Sequence, residues 1–240
     1  MQNGLYVSLS SQIALENRLN TIADNVANAN TVGFRATNVK FEDLVHGTGE
    51  KAMDFVTQGD TYLSKATGAF RQTENPYDFA IRGDGWFGIS TPAGTIMTRD
   101  GRFTVLDTGA LVTLEGHPVL DAGGAAIVLD PREGAPTAGA DGSLRQNGQL
   151  VGSLGLFEFD PGPNFTRYGN SGVVPDRPPQ PVVDRSDIGV VQGFVEDSNV
   201  NPVKEMTRLI MVQRAFDNAA ALIRESEASF SDAIKTLGSR

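Results

Sequence analysis

Cysteine is absent from this chain of 240 residues, and histidine occurs only twice, as His46 and His117. Without cysteine the chain has no disulfide framework, no thiol nucleophile and no cysteine-based zinc site. Two histidines cannot build a histidine-rich metal site, and no Gly-x-Ser-x-Gly elbow accompanies them. The sequence therefore predicts no catalytic residue, no metal and no cofactor.

Long hydrophobic runs are also missing. No stretch approaches the roughly 18 apolar residues that a membrane span requires, so no transmembrane segment is predicted. The first residues, Met1 to Ser8, lack the basic start and the continuous apolar run of a cleavable secretory signal. We therefore expect a cytoplasmic location, or export by a route that does not read such a signal.

Positive charge is the scarcer sign, with 20 basic against 29 acidic residues and a net charge of -9. Residues 1–40 carry three basic and two acidic groups, and residues 195–240 carry six and seven, so the middle of the chain carries the whole -9. The acidic balance disfavours nucleic acid as a partner. Nearly neutral ends suit close packing against like copies, whereas a negative middle suits a solvated surface.

The two ends of the chain share a helical period. Apolar residues in alternating steps of three and four predict one helix from about Leu5 to Asn28 and another from Pro202 to about Thr236. We expect the two helices to pair in a coiled-coil-like domain through apolar seams. The seam residues predicted to make assembly contacts are Leu15, Leu19, Ile22, Val26, Leu209, Val212, Phe216, Ile223 and Phe230.

Polar and glycine residues mark where each helix meets the rest of the chain. The second helix is predicted to start at Ser198, Asn199, Asn201 and Pro202, because asparagine can cap a helix and proline suits its first turn. The exit from the first helix is predicted to be shaped by Asn25, Asn28, Asn30, Gly33 and Phe34. Asparagine and glycine tolerate positive φ, so the chain can turn sharply there and leave Phe34 as an apolar anchor.

The middle segment changes to a period of two, with glycine-containing turns about 8 to 12 residues apart, which predicts an all-β body. Four aspartates stand one or two residues before glycines, where a short acceptor stabilises a turn: Asp84, Asp100, Asp107 and Asp141. We interpret them as turn residues rather than catalytic carboxylates. The predicted fold is α+β and discontinuous. Its parts are a helical assembly domain (1–34 and 195–240), an extended linker or hairpin (35–75), a β body (76–185) and a return connector (186–194).

The helical ends allow two interpretations, a finished hairpin within one monomer or incomplete seams that other copies complete. Additional alanines widen the apolar faces beyond a two-helix seam, which favours more than one helical neighbour. They are Ala14, Ala215, Ala220, Ala221 and Ala228. We therefore expect the function to lie in assembly before catalysis.

Three stretches resemble a known family. Asp24 to Phe34 resembles the amino-terminal signature of the axial proteins of the bacterial flagellum, specifically the basal-body rod group, although Asp24 stands where that pattern usually has asparagine. Ser198 to Val203, followed by Glu205-Met206 and Gln213 to Phe216, is similar to the family's other signature. Asp78 to Phe87 and Thr98 to Phe103 resemble its β body.

The resemblance implies a non-catalytic subunit that polymerises helically, with its terminal helices forming an inner tube and its β body facing outward. The implied partners are copies of itself, other rod proteins and the flagellar type III export apparatus, and the implied place is the periplasmic part of the basal body. Asn201-Pro202-Val203 and the modest length most resemble the proximal, F-type rod subunit rather than the distal one. The alternatives are a distal rod or hook-type axial subunit and, more remotely, an exported cell-wall hydrolase with helical anchors.

Overall fold

The computed structural model describes residues 2–40, 43–46, 53–56, 59–183 and 185–238. In this part of the chain two helices flank a long succession of short strands in the sequence. Helix α1 spans Gln2–Ala27 and helix α2 spans Pro202–Gly238. The prediction of one helix at each end and a β-rich middle is therefore confirmed, and the protein is α+β.

Most of the strands are three to five residues long, as expected for a segment punctuated by glycine turns. In chain order the described strands are β1 (Thr37–Lys40), β2 (Asp43–His46), β3 (Met53–Val56), β4 (Asp60–Leu63), β5 (Phe70–Gln72), β6 (Phe79–Arg82), β7 (Trp86–Thr91), β8 (Gly94–Thr98), β9 (Phe103–Val105), β10 (Leu111–Thr113), β11 (Thr137–Ala138), β12 (Ser143–Gln146), β13 (Gln149–Ser153), β14 (Leu156–Glu158), β15 (Thr166–Tyr168), β16 (Gly172–Val174), β17 (Gln180–Pro181), β18 (Gly189–Gln192) and β19 (Phe194–Glu196).

The chain divides into two compact units. The helical unit comprises Met1–Ala27, Thr37–Tyr62 and Asn201–Arg240, and the β unit comprises Asn28–Ala36 and Leu63–Val200. The predicted assembly domain and its boundaries, 1–34 with 195–240, 35–75, 76–185 and 186–194, stay predictions. Within the described residues neither helix is long and apolar enough to cross a membrane.

In the β unit, strand β7 separates two apolar clusters. Successive side chains of a strand point to opposite faces, so Phe87 lies in the larger cluster and Trp86 in the smaller one. The Phe87 ring meets Phe103 edge-on with centroids 5.3 Å apart, and Trp86 meets Phe159 in the same way at 5.8 Å. Both edge-on contacts add to the free energy gained by burying the rings.

The sheet that holds β7 has the strand order β15-β16-β8-β7-β14-β17. The chain that leads to α2 is also held by strand pairing, because β18 pairs antiparallel with β6 and β19 pairs antiparallel with β5. Residues 189–196 are thus fixed within the β unit immediately before the second helix begins.

Aspartates before glycines serve turns in the β unit. Asp100 Oδ1 accepts a hydrogen bond from the Arg102 backbone N–H at 3.1 Å. Asp141 Oδ1 does the same for the Ser143 backbone N–H, also at 3.1 Å. The interpretation as turn residues is confirmed for Asp100 and Asp141, and it stays a prediction for Asp84 and Asp107.

Candidate assembly surface

Helices α1 and α2 contact each other. They run antiparallel, because the earlier residues of α1 lie beside the later residues of α2. Ile22 and Arg208 line one cavity of about 190 Å³, whereas Leu15 and Ala215 line a second of about 190 Å³. Arg18 and Arg208 line both cavities. We call the second cavity, which is lined by Leu15, Arg18, Arg208, Met211, Val212 and Ala215, the arginine groove.

The predicted seam residues are covered to different depths. Ile22 and Val212 are buried, each with 5% of its surface exposed. The other described seam residues, Leu15, Leu19, Val26, Leu209, Phe216 and Ile223, are half-buried. The side chain of Phe230 lies outside the described residues. The helical unit therefore encloses only the centre of the predicted seams.

Other apolar side chains of the helices face solvent. On α1 these are Leu9 and Ile13; on α2 they are Val203, Met206, Ile210, Met211 and Leu222. Met211 and Leu222 are 63% and 64% exposed. Val203, Met206 and Ile210 follow one another in steps of three and four and so share one face of α2, and an exposed apolar face of this kind marks interaction sites in soluble proteins.

Asn25, predicted as part of the helix exit, ties α1 to strand β1. Its side chain is buried, and its Nδ2 donates a hydrogen bond to the Thr37 carbonyl oxygen at 2.8 Å. Its Oδ1 accepts one from the Thr37 backbone N–H at 2.9 Å. The side-chain amide thus bonds both backbone groups of one strand residue, as a neighbouring strand would.

We expect Asn25→Ala to destabilise the helical unit by about 2–5 kcal/mol, because it removes two hydrogen bonds and each one lost to a buried group costs about 1–3 kcal/mol. The better helix propensity of alanine recovers only about 0.5 kcal/mol. Amide hydrogen exchange of residues 37–40 in the full chain measures the change. Asn20→Ala, at an exposed position of the same helix, is the matched control; equal protection in the two variants would contradict the role given to Asn25.

The exit that follows α1 is a turn built by its own side chains. The Thr31 N–H donates to the Asn28 carbonyl oxygen at 3.1 Å, and the Thr31 hydroxyl donates to Asn28 Oδ1 at 3.1 Å. Asn30 is exposed at the tip of this turn. Gly33 has φ of +71°, a left-handed conformation in which a side chain is strained.

The structure brings the predicted exit residues together with residues that precede α2. The Gly33 N–H donates to the Glu196 carbonyl oxygen at 2.7 Å, and the Asn199 N–H donates to the Phe34 carbonyl oxygen at 3.3 Å. Asn199 also accepts a hydrogen bond from the Ala36 N–H at 2.7 Å through its Oδ1. The end of the first signature stretch and the start of the second are therefore neighbours within the β unit.

The start of α2 uses the remaining predicted residues. The Ser198 hydroxyl oxygen accepts a hydrogen bond from the Val200 N–H at 3.3 Å. In the helical unit, Asn201 Oδ1 accepts one from the Lys204 N–H at 3.0 Å, the geometry of an N-cap. Pro202 is the first helical residue, where its missing N–H costs nothing.

A buried ion cluster in the β unit lies beside these motifs, and the sequence prediction missed it. Glu196 contacts Arg35 Nη2 at 2.8 Å through Oε1 and Arg99 Nη1 at 3.3 Å through Oε2. All three side chains are almost completely buried. The Gly68 N–H also donates to Glu196 Oε1 at 2.9 Å. One carboxylate thus joins the segment after Phe34, the loop before β5 and the motif that contains Arg99.

The cluster continues through hydrogen bonds to the backbone. Arg99 donates to the carbonyl oxygens of Ile81 and Gly83 at 3.0 and 2.6 Å. Burial lowers the pKa of Arg99 to about 10, and the neighbouring Glu196 carboxylate opposes this shift. The guanidinium therefore keeps its charge at neutral pH, where it needs the buried carboxylate as a partner.

Arg167 covers Phe34, which is itself fully buried. Its guanidinium lies 4.3 Å from the centroid of the Phe34 ring and 5.3 Å from that of Phe165. It also donates a hydrogen bond to the Arg35 carbonyl oxygen at 2.6 Å. The apolar anchor predicted from the sequence is therefore held by a cation–π contact as well as by burial.

Three family models match the chain, and together they define its class. The model described as "Flagella basal body rod protein" matches residues 5–35, and "Flagellar basal body rod FlgEFG protein C-terminal" matches residues 191–236. Between them, "Flagellar hook protein FlgE/F/G D1 domain" matches residues 80–151. The two rod models cover both helices and the signature stretches that meet in the β unit, so the chain is a flagellar axial protein.

Full-length relatives narrow the class. The chain is 70% identical to the flagellar basal-body rod protein FlgF of Mesorhizobium japonicum, with both chains covered completely, and 57% identical to FlgF of Rhizobium meliloti over 99% of each. The rod protein FlgG of Bacillus subtilis is 31% identical over 95% of this chain and 96% of its own. The chain belongs to the flagellar basal-body rod proteins of the FlgF type, which are structural proteins of the rod. The predicted family and the F-type choice over the distal rod are confirmed.

Proposed function

We propose that the chain polymerises helically as a subunit of the proximal rod and that α1 and α2 make its contacts with neighbouring subunits. The observation that carries the proposal is the incomplete covering of the helices. Ile22 and Val212 are buried within one chain, while Met211 and Leu222 of the same pair remain largely exposed. A second layer of helices would cover them.

The length of α2 supports the same proposal. Its 37 residues extend about 55 Å at about 1.5 Å per residue. Because their seam residues recur in steps of three and four, α1 and α2 are suited to coiled-coil packing against each other and against further helices. Partly covered helices gain most of their stability from such packing, so ordering of the ends and incorporation would be coupled.

The partners in this proposal are copies of the chain and other rod proteins. Delivery would be by the flagellar type III export apparatus to the periplasmic part of the basal body. The resemblance of the two ends to the rod signatures supports this assignment. An export route that passes unfolded chains would also suit helices that complete their packing only at the growing end.

We expect Ile223→Asp to leave the β unit folded and to prevent incorporation into basal bodies, because a charge on the half-buried seam cannot be desolvated in a packed helix layer. The measurement is motility of a strain that carries the variant, together with immunoblots of isolated basal bodies. Leu150→Asp, at an exposed position of strand β13, is the control and should be incorporated normally. Normal motility of the Ile223→Asp strain would refute the assignment.

A further inference from the structure

The arginine groove carries an excess of positive charge. Arg208 contacts the buried carboxylate of Glu205 at 2.5 Å. Arg18 is exposed and has no hydrogen bond or ion pair in the part of the chain that the structure describes. The one carboxylate of this site is therefore already paired with Arg208, and Arg18 leaves the groove suited to a second carboxylate from outside the chain.

The groove also has a direction. Its apolar end is bordered by Leu15, Met211 and Ala215, and its basic end by Arg18 and Arg208. Along α1 the apolar end therefore comes first and the basic end about one turn later. A matching ligand helix that runs parallel to α1 must present apolar side chains first and a carboxylate about one turn after them.

The outer face of α1 has this pattern. Leu9, Ile13 and Glu16 follow one another in steps of four and three, so they lie on one face of the helix. All three side chains are exposed. No hydrogen bond or ion pair engages Glu16 among the described residues. We call these three residues the α1 stripe.

The α1 stripe cannot fill the groove of its own chain. At about 100° per residue, Glu16 and Arg18 point in directions about 160° apart around the helix axis. A contact between stripe and groove must therefore join two molecules. Because the two surfaces differ, the contact is heterologous and can repeat from copy to copy.

The other exposed stripes of α2 match the groove less well. One stripe contains Val203, Met206 and Ile210 and is followed on the same face by Arg214, which has the same charge as the groove. Leu222 is followed three residues later by Glu225, so this part of α2 presents an apolar side chain first and a carboxylate second. Along α2, however, the basic end of the groove comes before its apolar end, so the two orders do not match. For copies whose helices run in the same direction, the α1 stripe has both the right sign of charge and the right order.

We infer that the α1 stripe of one copy docks in the arginine groove of a second copy of this chain, with Glu16 between Arg18 and Arg208 and with Ile13 against Leu15. Glu16 and Arg18 are two residues apart, so the two α1 helices would lie side by side with an axial offset of about 3 Å. This inference rests on the proposed function, because it names the surfaces through which copies associate.

Charge reversal tests the contact. Glu16→Arg and Arg18→Glu should each reduce the amount of chain in isolated basal bodies about tenfold, because like charges would meet in a desolvated interface. The double variant Glu16→Arg/Arg18→Glu should restore at least half of the wild-type amount. The two positions cannot pair within a chain, so rescue reports a contact between copies. Glu133→Arg, at an exposed position of the β unit, is the matched control and should be incorporated normally.

Cysteine cross-linking gives a second readout that needs no loss of function. The natural chain has no cysteine, so Glu16→Cys and Arg18→Cys introduce the only thiols. In cells that express both variants, mild oxidation of basal bodies should give a dimer of this chain. Glu225→Cys paired with Arg18→Cys should give at least about tenfold less dimer, because the groove would not receive the distal part of α2.

The outcomes separate this inference from the proposed function. Absence of the wild-type chain from basal bodies would overturn the proposed function and this inference together. A wild-type chain that is incorporated, with both reversals incorporated equally well, would overturn the inference alone. A cross-link to a different protein would also overturn it, because the occupant of the groove would not be a second copy.

Discussion

Glu196→Gln should lower the free energy of unfolding of the β unit by about 3–5 kcal/mol, the cost of removing one partner of a buried ion pair. Glutamine fills almost the same volume, so the loss reports the charge rather than a cavity. Arg35 and Arg99 would then face each other without the carboxylate that lies 2.8 and 3.3 Å from them. The melting temperature of a unit of this size should fall by about 10 °C.

Thermal unfolding of the full chain, followed by near-ultraviolet circular dichroism at the single tryptophan of the β unit, measures the change. The matched control is Glu158→Gln, which removes an exposed carboxylate 3.5 Å from Arg185. An exposed pair of this kind contributes about 0–1 kcal/mol, so its melting temperature should change little. Similar shifts for the two variants would contradict a stabilising role for the buried cluster.

The helices and their caps could be predicted because their signals are local. Asn201 and Pro202 are adjacent in sequence, and the capping bond they imply reaches only to Lys204. The alternation that places Trp86 and Phe87 on opposite faces of β7 is equally local. Such patterns depend on a few neighbouring residues, so a single sequence suffices.

The ion cluster could not be predicted because its members come from three distant segments. Arginine and glutamate are mostly exposed in proteins, so sequence alone places Arg35, Arg99 and Glu196 on the surface. A signal was present, since Arg35 directly follows the first signature and Arg99 lies within the β-body motif. The motifs indicate that these segments belong to recognisable signatures, but only the fold shows that the three side chains contact one another.

The apolar seams of the helices are a third case, because the helical period identifies the face that packs but does not identify what packs against it. Periodicity identified the apolar face that contains Ile22 and Val212, and both are buried. It did not single out Arg18 and Arg208, because charged residues beside a seam ordinarily indicate a solvated edge. Their convergence on one groove depends on the antiparallel register of α1 and α2, which is a property of the folded pair.

Gly33→Ala should destabilise the β unit by about 2–5 kcal/mol, since two separate costs add. An alanine at φ of +71° costs about 1–2 kcal/mol in backbone strain. In addition, its Cβ would lie 2.2 Å from the Asp100 backbone nitrogen and 2.5 Å from the Arg99 carbonyl carbon. Backbone cannot rotate aside as a flexible side chain can, so the exit segment itself must shift, at a further cost of about 1–3 kcal/mol.

Gly116→Ala separates the two costs. Gly116 also has a positive φ, +86°, but an added Cβ there would meet no atom within 4 Å. This variant should therefore show the strain alone, about 1–2 kcal/mol. Thermal unfolding measures the destabilisation of both variants. Amide hydrogen exchange at residue 33 and at Asn199 should show lost protection only in Gly33→Ala. The hydrogen bond from the residue 33 N–H to the Glu196 carbonyl oxygen depends on the close approach of the exit segment to the Arg99-Asp100 backbone. Equal destabilisation by the two substitutions would mean that glycine is required at position 33 only for its positive φ. The close contact with the Arg99-Asp100 backbone would then contribute nothing to holding the signature segment in place.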